Sequence, residues 1–174
     1  LTKVADTNDT QPGGIDPFTT FSTPVISGQQ VAFRGLADDV GIFVGDGGPL
    51  TVIAKAGDPT PGGSTFTTFG QNVSTDRQEV AFSGSGSGFL GLFISDSSGI
   101  CPVIDTNDTL EGEDVTQLFM GRDSYAEGML SFQAVFANGR RGIYLAEAVT
   151  KRAEIIGTWS NGIWYLDVAE SEWT

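Results

Sequence analysis

The stretch Val31-Ala32-Phe33, followed by Gly41-Ile42-Phe43-Val44, decides the fold of this chain because the chain repeats it. The same two short motifs, which we call words, recur as Val80-Ala81-Phe82 and Gly91-Leu92-Phe93-Ile94. A third copy has diverged but keeps order and spacing, with Leu130-Ser131-Phe132 before Gly142-Ile143-Tyr144-Leu145. A recurrence at about fifty residues indicates one supersecondary unit that buries its apolar face against its neighbours.

Each copy is preceded by an acidic turn and an aromatic word. The turns are Asp9-Thr10-Gln11-Pro12-Gly13-Gly14 and Asp58-Pro59-Thr60-Pro61-Gly62-Gly63, and Phe18-Thr19-Thr20-Phe21 and Phe66-Thr67-Thr68-Phe69 follow them. The third copy keeps Asp108 and Phe119 at matching places. The sequence therefore predicts three tandem β-repeats in residues 1–149, at approximately 4–51, 52–101 and 102–149, and a C-terminal tail in residues 150–174.

Inside each copy, short runs of alternating β-branched and aromatic residues lie between Gly, Asp and Pro, which predicts strands joined by tight turns. We expect strands at residues 30–36, 41–44 and 50–54, and again at 79–83, 90–95 and 100–104. The glycine-rich residues 84–88 are predicted to be a flexible loop. The predicted fold class is all-β, with tandem four-stranded antiparallel meanders in a β-propeller-like arrangement. A closed propeller needs roughly four or more blades, so an open β-solenoid or stacked sheets is the alternative.

Repeated units need the same large apolar residues to pack on one another, so the recurring phenylalanines are predicted to form the core. The single cysteine, Cys101, is interpreted as a small apolar residue on a strand. The phenylalanines concerned are Phe18, Phe21, Phe33, Phe43, Phe66, Phe69, Phe82, Phe93, Phe119 and Phe132.

The tail breaks the repeat period and predicts a hairpin. Apolar runs flank Asn161-Gly162, the residue pair that favours a type I′ turn. All three tryptophans of the chain lie in this tail. They form either an exposed stacking platform for sugars or a set of cross-strand pairs that seals a small sheet. The candidate platform residues are Trp159, Trp164, Tyr165 and Trp173.

Composition narrows the range of partners and chemistry. The chain has 9 Lys and Arg against 22 Asp and Glu, a net charge of −13, so nucleic acid is a poor partner. Histidine is absent, which removes the commonest general base near neutral pH and the commonest zinc ligand. We therefore expect that the chain is not an enzyme. No segment approaches the roughly 20 apolar residues of a membrane helix, so we expect no membrane span. The negative electrostatic potential of the chain is compatible with divalent cations, neutral glycans or basic surfaces as binding partners.

The acidic loops are the candidate metal sites. Closely spaced Asp and Asn oxygens, with backbone carbonyls nearby, are the ligands that calcium prefers, so calcium is the candidate cofactor. The alternative is structural, because Asp and Asn also cap turns by bonding to their own backbone. Asp6-Thr7-Asn8-Asp9-Thr10 recurs as Asp105-Thr106-Asn107-Asp108-Thr109, and the candidate ligands are Asp6, Asn8, Asp9, Asp58, Asp105, Asn107 and Asp108.

The repeated words resemble those of secreted or surface-anchored bacterial tandem-repeat proteins, frequent in cyanobacteria. The hallmark of those repeats is Asn-x-x-Gly-x-x-Ala-Phe followed by Gly-Ile-Phe, and it falls here on residues 26–33 and 74–82. The resemblance covers about residues 4–146 and implies a β-propeller-like, extracellular, non-catalytic module. The tail is similar to a Gly-x-Trp-Ser-Asn-Gly-x-Trp-Tyr word of other bacterial extracellular repeats. Because Leu1 falls inside a repeat, we expect the chain to be a mature or trimmed piece of a longer protein.

Three functions are compatible with the sequence. The first is a secreted or cell-surface β-repeat module for binding or adhesion, without catalysis, with a glycan or a protein as ligand and calcium as a candidate stabiliser. The second is a structural subunit that assembles with itself into a filament or ring, through unpaired strand edges or exchange of the tail hairpin. The third and least favoured is a glycan-active enzyme, which needs two carboxylates about 5 to 10 Å apart.

Overall fold

The computed structural model describes residues 1–147 and the backbone of two further stretches, 156–160 and 163–167. Every regular element in these residues is a β-strand and every strand pair is antiparallel, so the prediction of an all-β fold is confirmed. The described residues contain no helix that is long and apolar enough to cross a membrane. The strands form three larger sheets, which we call sheets I, II and III, and one hairpin.

Sheet I contains the first copy of the repeated words. Strands β3, β4 and β5 form a meander, and both β1 and β2 pair with β3, so these two short strands make one interrupted outer strand. The five strands are β1 (Thr20–Phe21), β2 (Val25–Ser27), β3 (Gln30–Leu36), β4 (Val40–Gly45) and β5 (Thr51–Lys55).

Sheet II contains the second copy and has four strands in sequential order. Its outer strand β6 is continuous but irregular between Phe66 and Val73, so it takes the place that β1 and β2 share in sheet I. The predicted repeat limits at residues 51 and 101 fall inside β5 and β9, which pair with the strands before them. The strands are β6 (Phe66–Asp76), β7 (Glu79–Gly86), β8 (Phe89–Asp96) and β9 (Gly99–Asp105).

Sheet III contains the third copy, and the separate hairpin follows it in the chain. The central strand β13 pairs with β11 and β12 on one side and with β14 on the other. The strands of sheet III are β10 (Thr109–Leu110), β11 (Glu113–Phe119), β12 (Tyr125–Ala126), β13 (Met129–Phe136) and β14 (Arg141–Glu147). The hairpin strands are β15 (Ile156–Ser160) and β16 (Ile163–Asp167), and their predicted turn residues lie outside the described residues.

The glycine-rich residues 84–88 are only in part a turn: Ser87 and Gly88 form the turn between β7 and β8, but the prediction is wrong for residues 84–86. Residues 84–86 continue β7, and Gly84 pairs with Gly91 while Gly86 pairs with Phe89. A Cβ atom on Gly84 would lie 2.7 Å from Cε1 of Phe66. The glycine is therefore explained by the ring that lies against the backbone, because glycine in a strand marks such a close approach.

The core lies between the sheets, which pack on each other through their faces. Ile42 and Val44 of sheet I share one buried cluster with Phe66, Phe69 and Val73 of sheet II. Leu92 and Ile94 of sheet II share a second cluster with sheet III residues that include Val115, Leu118 and Leu130. Each sheet thus turns a β-branched and aliphatic face to the next one, and we call this the forward face of the sheet.

Eight of the ten recurring phenylalanines are buried, as predicted for a core. Phe21 is half-buried and packs on Phe18, with their ring centroids 5.0 Å apart. The prediction is wrong for Phe119, which is 51% exposed. Its neighbour Leu118 is 3% exposed and takes the inward position, because successive side chains of a strand point to opposite faces.

Polar contacts recur between consecutive sheets at the hairpin turns beside the core. The backbone N–H of Arg77 donates to Ser27 Oγ at 2.8 Å, and the backbone N–H of Glu127 donates to Asp76 Oδ2 at 2.7 Å. The two donors stand at equivalent turn positions, and both have a positive φ, of 56° and 53°. Sheets I and III also meet, because the guanidinium of Arg122 donates to the carbonyl oxygen of Pro24 at 2.5 Å.

Candidate functional site

The forward face of sheet III is exposed in the described part of the chain, and we call it the open face. Register places its side chains in rows across β11, β13 and β14, with Phe119 opposite Gln133 and Gln133 opposite Ile143. Leu145 stands opposite Ser131 on the next row. The open face consists of Phe119, Met129, Ser131, Gln133, Ile143 and Leu145, and its four large apolar residues are 51%, 39%, 74% and 65% exposed for Phe119, Met129, Ile143 and Leu145.

Equivalent positions in the other sheets show what this exposure means. Ile42 of sheet I and Leu92 of sheet II have no exposed surface, whereas Ile143, at the same place after the glycine of the repeated word, is 74% exposed. Within the described residues, nothing follows sheet III in the way that sheet II follows sheet I. Monomeric proteins rarely leave contiguous apolar residues uncovered, and such patches mark interaction sites.

The open face also lacks the polar groups that its equivalents use for contact with a following sheet. Gln30 accepts a hydrogen bond from the Thr75 hydroxyl at 3.4 Å, and Glu79 accepts one from the Tyr125 hydroxyl. The third sheet has Met129 at the position of these two acceptors, at the start of β13. Ala126 likewise replaces the acceptors Ser27 and Asp76 at the turn. At these two positions the open face is therefore more apolar than the faces that pack inside the chain.

A shallow cavity of about 600 Å³ lies on this face beside the loop that joins β11 to β12. Phe119 and Ile143 supply its apolar wall, while Ser131 and Gln133 supply polar groups from β13. The loop contributes the backbone around Arg122, whose contact with Pro24 fastens it to sheet I. A groove of apolar side chains with a few polar groups is the usual composition of a binding site.

The acidic loops have one geometry in all three copies. In each loop, one aspartate accepts a 2.8 Å hydrogen bond, through Oδ2, from the backbone N–H of the residue three positions earlier. Its own N–H donates to the carbonyl of that residue at 3.1 Å. These aspartates are Asp9, Asp58 and Asp108, and their donors are Asp6, Lys55 and Asp105. Such contacts cap a turn.

The remaining candidate ligands belong to the same turns. Asp6 Oδ1 accepts the N–H of Asn8 at 2.8 Å, and Asp105 Oδ1 accepts that of Asn107 at 2.6 Å. The Asn8 N–H and the Lys3 ammonium lower the pKa of Asp6 below its ordinary value of 3.8. No group of three or more acidic, His or Cys side chains that could hold a metal ion occurs among the described residues. Calcium at these loops stays a prediction.

Asp16 and Asp38 form a carboxyl pair that the sequence did not single out. Asp38 Oδ2 accepts the N–H of Ile15 at 2.8 Å and that of Asp16 at 3.2 Å. These bonds lower the pKa of Asp38, and the hydrogen bond from Asp16 to Asp38 raises the pKa of Asp16.

The predicted platform residues lie on or beyond the hairpin. The backbone places Trp159 opposite Trp164 and Tyr165 opposite Thr158. Trp173 lies outside the described residues. Sequence reasoning missed the open face, although a signal was present: Met129 and Ala126 break the run of polar residues that the first two copies have at these positions.

Comparison with known proteins identifies the family. The chain belongs to DUF7453, a family of unknown function, whose sequence model matches residues 1–150. No curated protein and no solved structure shows a significant match to the chain.

Proposed function

We propose that this chain is a non-catalytic, extracellular binding module that acts through the open face of sheet III. The observation that carries this proposal is the exposure of Ile143 and Leu145, whose equivalents in sheets I and II are buried under the following sheet. The equivalent surfaces of sheets I and II are each covered by another sheet, so the exposed surface of sheet III is suited to bind a partner. Enzyme chemistry is not part of the proposal, because the chain has no histidine and the aspartates of the acidic loops bond to the backbone of their own turns.

The cavity beside the open face supports a ligand with both apolar and polar surface. Phe119 offers an aromatic ring, and Ser131, Gln133 and Asp123 offer hydrogen-bonding groups around it. Protein interfaces combine an apolar centre with a polar rim. An aromatic ring also offers a flat apolar surface on which a sugar can stack. The ligand class is therefore a glycan or a protein surface.

We propose further that the three sheets are consecutive modules of a curved, propeller-like array. The contact between Arg122 and Pro24 supports curvature, because it joins sheets I and III, which are not consecutive in the chain. An open stack of sheets keeps its first and third members apart. The extracellular location rests on the resemblance of the repeated words to secreted bacterial repeats.

The experiment compares the wild-type chain with two variants on a glycan array and on immobilised extracellular matrix proteins. Leu145→Asp places a charge in the open face, whereas Ile26→Asp changes an apolar residue that is 67% exposed on sheet I. We expect the first variant to lose binding and the second to keep it. Equal binding by both variants would refute the assignment of the site, and hydrolysis of a bound glycan by the wild type would refute the non-catalytic assignment.

A further inference from the structure

We infer that the partner of the open face is a second copy of this chain, packed on it about a two-fold axis, an inference that rests on the proposed function. Strand β14 carries the pattern that points to this partner. Its residues alternate, and Arg141, Ile143, Leu145 and Glu147 lie on the same side of the strand. All four are exposed, with the two apolar residues in the middle and one charge of each sign at the two ends.

This pattern is complementary to itself when a second strand runs in the opposite direction. In that arrangement Arg141 of one copy meets Glu147 of the other, and Glu147 of the first meets Arg141 of the second. The two pairs of apolar residues, Ile143 and Leu145, then face each other at the centre. A two-fold interface requires this kind of complementarity, because residue i contacts residue j and residue j contacts residue i.

The neighbouring strand adds a surface without charge. Met129, Ser131 and Gln133 of β13 stand beside Glu147, Leu145 and Ile143 in the register of the sheet. Charged residues are depleted at the centre of protein interfaces and tolerated at the rim, which is the distribution seen here. Neither Arg141 nor Glu147 takes part in an ion pair within residues 1–147.

The polar contacts described above favour a second open face over the kind of sheet that follows sheets I and II. Those two sheets receive the next sheet through Gln30 or Glu79 and through Ser27 or Asp76. Met129 and Ala126 cannot accept these hydrogen bonds, so a sheet of the usual kind would lose them. When two open faces pack together, no hydrogen-bond donor of a following sheet is left without an acceptor at these positions.

Charge reversal tests the geometry directly in sedimentation velocity experiments on the full chain over a wide concentration range. We expect the wild type to form dimers and Leu145→Asp to abolish them. Arg141→Glu and Glu147→Arg should each raise the Kd by about tenfold or more, because like charges then meet at both ends of the interface. The double variant should regain wild-type affinity. An equimolar mixture of the two single variants should form a heterodimer, since all four end charges are then complementary.

Three outcomes would overturn the inference. A wild type that stays monomeric at every concentration excludes the second copy, and in that case binding of a glycan that Leu145→Asp abolishes leaves the proposed function intact. Dimers that survive Leu145→Asp lie on another surface. A mixture of the single variants that associates no better than either variant alone excludes the antiparallel two-fold arrangement.

Discussion

Truncation of two equivalent apolar residues should lower the free energy of unfolding much more on the covered face of sheet II than on the open face of sheet III. Leu92 has no exposed surface and belongs to the cluster shared by the two sheets. A buried leucine that becomes alanine costs both its transfer energy and the energy of the cavity left behind, about 3 kcal/mol. We therefore expect Leu92→Ala to lower the free energy of unfolding by that amount.

Ile143→Ala is the matched control, because Ile143 occupies the equivalent position on the open face. It is 74% exposed, so only about a quarter of its surface is removed from water. Full burial of an isoleucine contributes roughly 2 kcal/mol, and the expected loss is therefore about 0.5 kcal/mol. With about 2 to 4 °C of melting temperature per kcal/mol in a chain of this size, the two variants should differ by about 5 to 10 °C.

The assay is thermal and urea unfolding followed by far-ultraviolet circular dichroism, at a concentration at which the chain sediments as a monomer. Dimerisation would add to the loss caused by Ile143→Ala at higher concentrations, because binding to the folded state stabilises it. Equal losses for the two variants would refute the reasoning. They would show either that the face of Leu92 is uncovered in solution or that Ile143 is covered within the monomer.

Four further predictions concern stability. Tyr125→Phe should cost about 1.5 to 3 kcal/mol in urea unfolding, because it removes a hydrogen bond to the Glu79 carboxylate, and this loss should shrink in a Glu79→Gln background. Gly84→Ala should cost about 1 to 3 kcal/mol, because its Cβ would lie 2.7 Å from the Phe66 ring; no loss would show that the ring moves freely. Asp6 has a folded pKa below its ordinary value of 3.8, so its contribution is present above that pH and lost as the pH falls through the folded pKa; Asp6→Asn should reduce the acid dependence of the urea midpoint. If calcium stabilises the acidic turns, a chelator should lower the melting temperature, and an unchanged midpoint would refute the prediction of calcium at these turns.

The strands could be predicted from the sequence because each is short, alternates and ends at a turn residue. The strand predicted at residues 30–36 has those limits in the structure, and that predicted at 90–95 extends by one residue at each end. Residues 84–86 were assigned to a loop because glycine is usually a breaker. Their place in a strand depends on pairing with β6 and β8, and the glycine at position 84 is explained by Phe66, which precedes it by almost twenty residues and which local patterns do not include.

The candidate site was harder to predict, for two physical reasons. An acidic residue in a loop has oxygens that suit a cation and a backbone N–H equally well, and only the hydrogen-bond distances show that Asp9, Asp58 and Asp108 accept from the backbone. The open face consists of apolar residues, and an apolar residue in a strand predicts a core wherever it occurs. Whether a neighbour covers Ile143 is a property of the arrangement of the sheets and not of the strand itself.

The forward faces of sheets I and II are apolar, and in each case the next sheet packs on them. An apolar face that nothing covers is a liability, and the exposed faces of soluble repeat proteins are usually polar. Sheet III keeps Ile143 and Leu145 exposed within the described residues, and it has Met129 and Ala126 where sheets I and II have polar acceptors. Exposed apolar surface raises the risk of aggregation, so we expect this face to persist only where a partner covers it. The charges of Arg141 and Glu147 at either end then limit which partner that is.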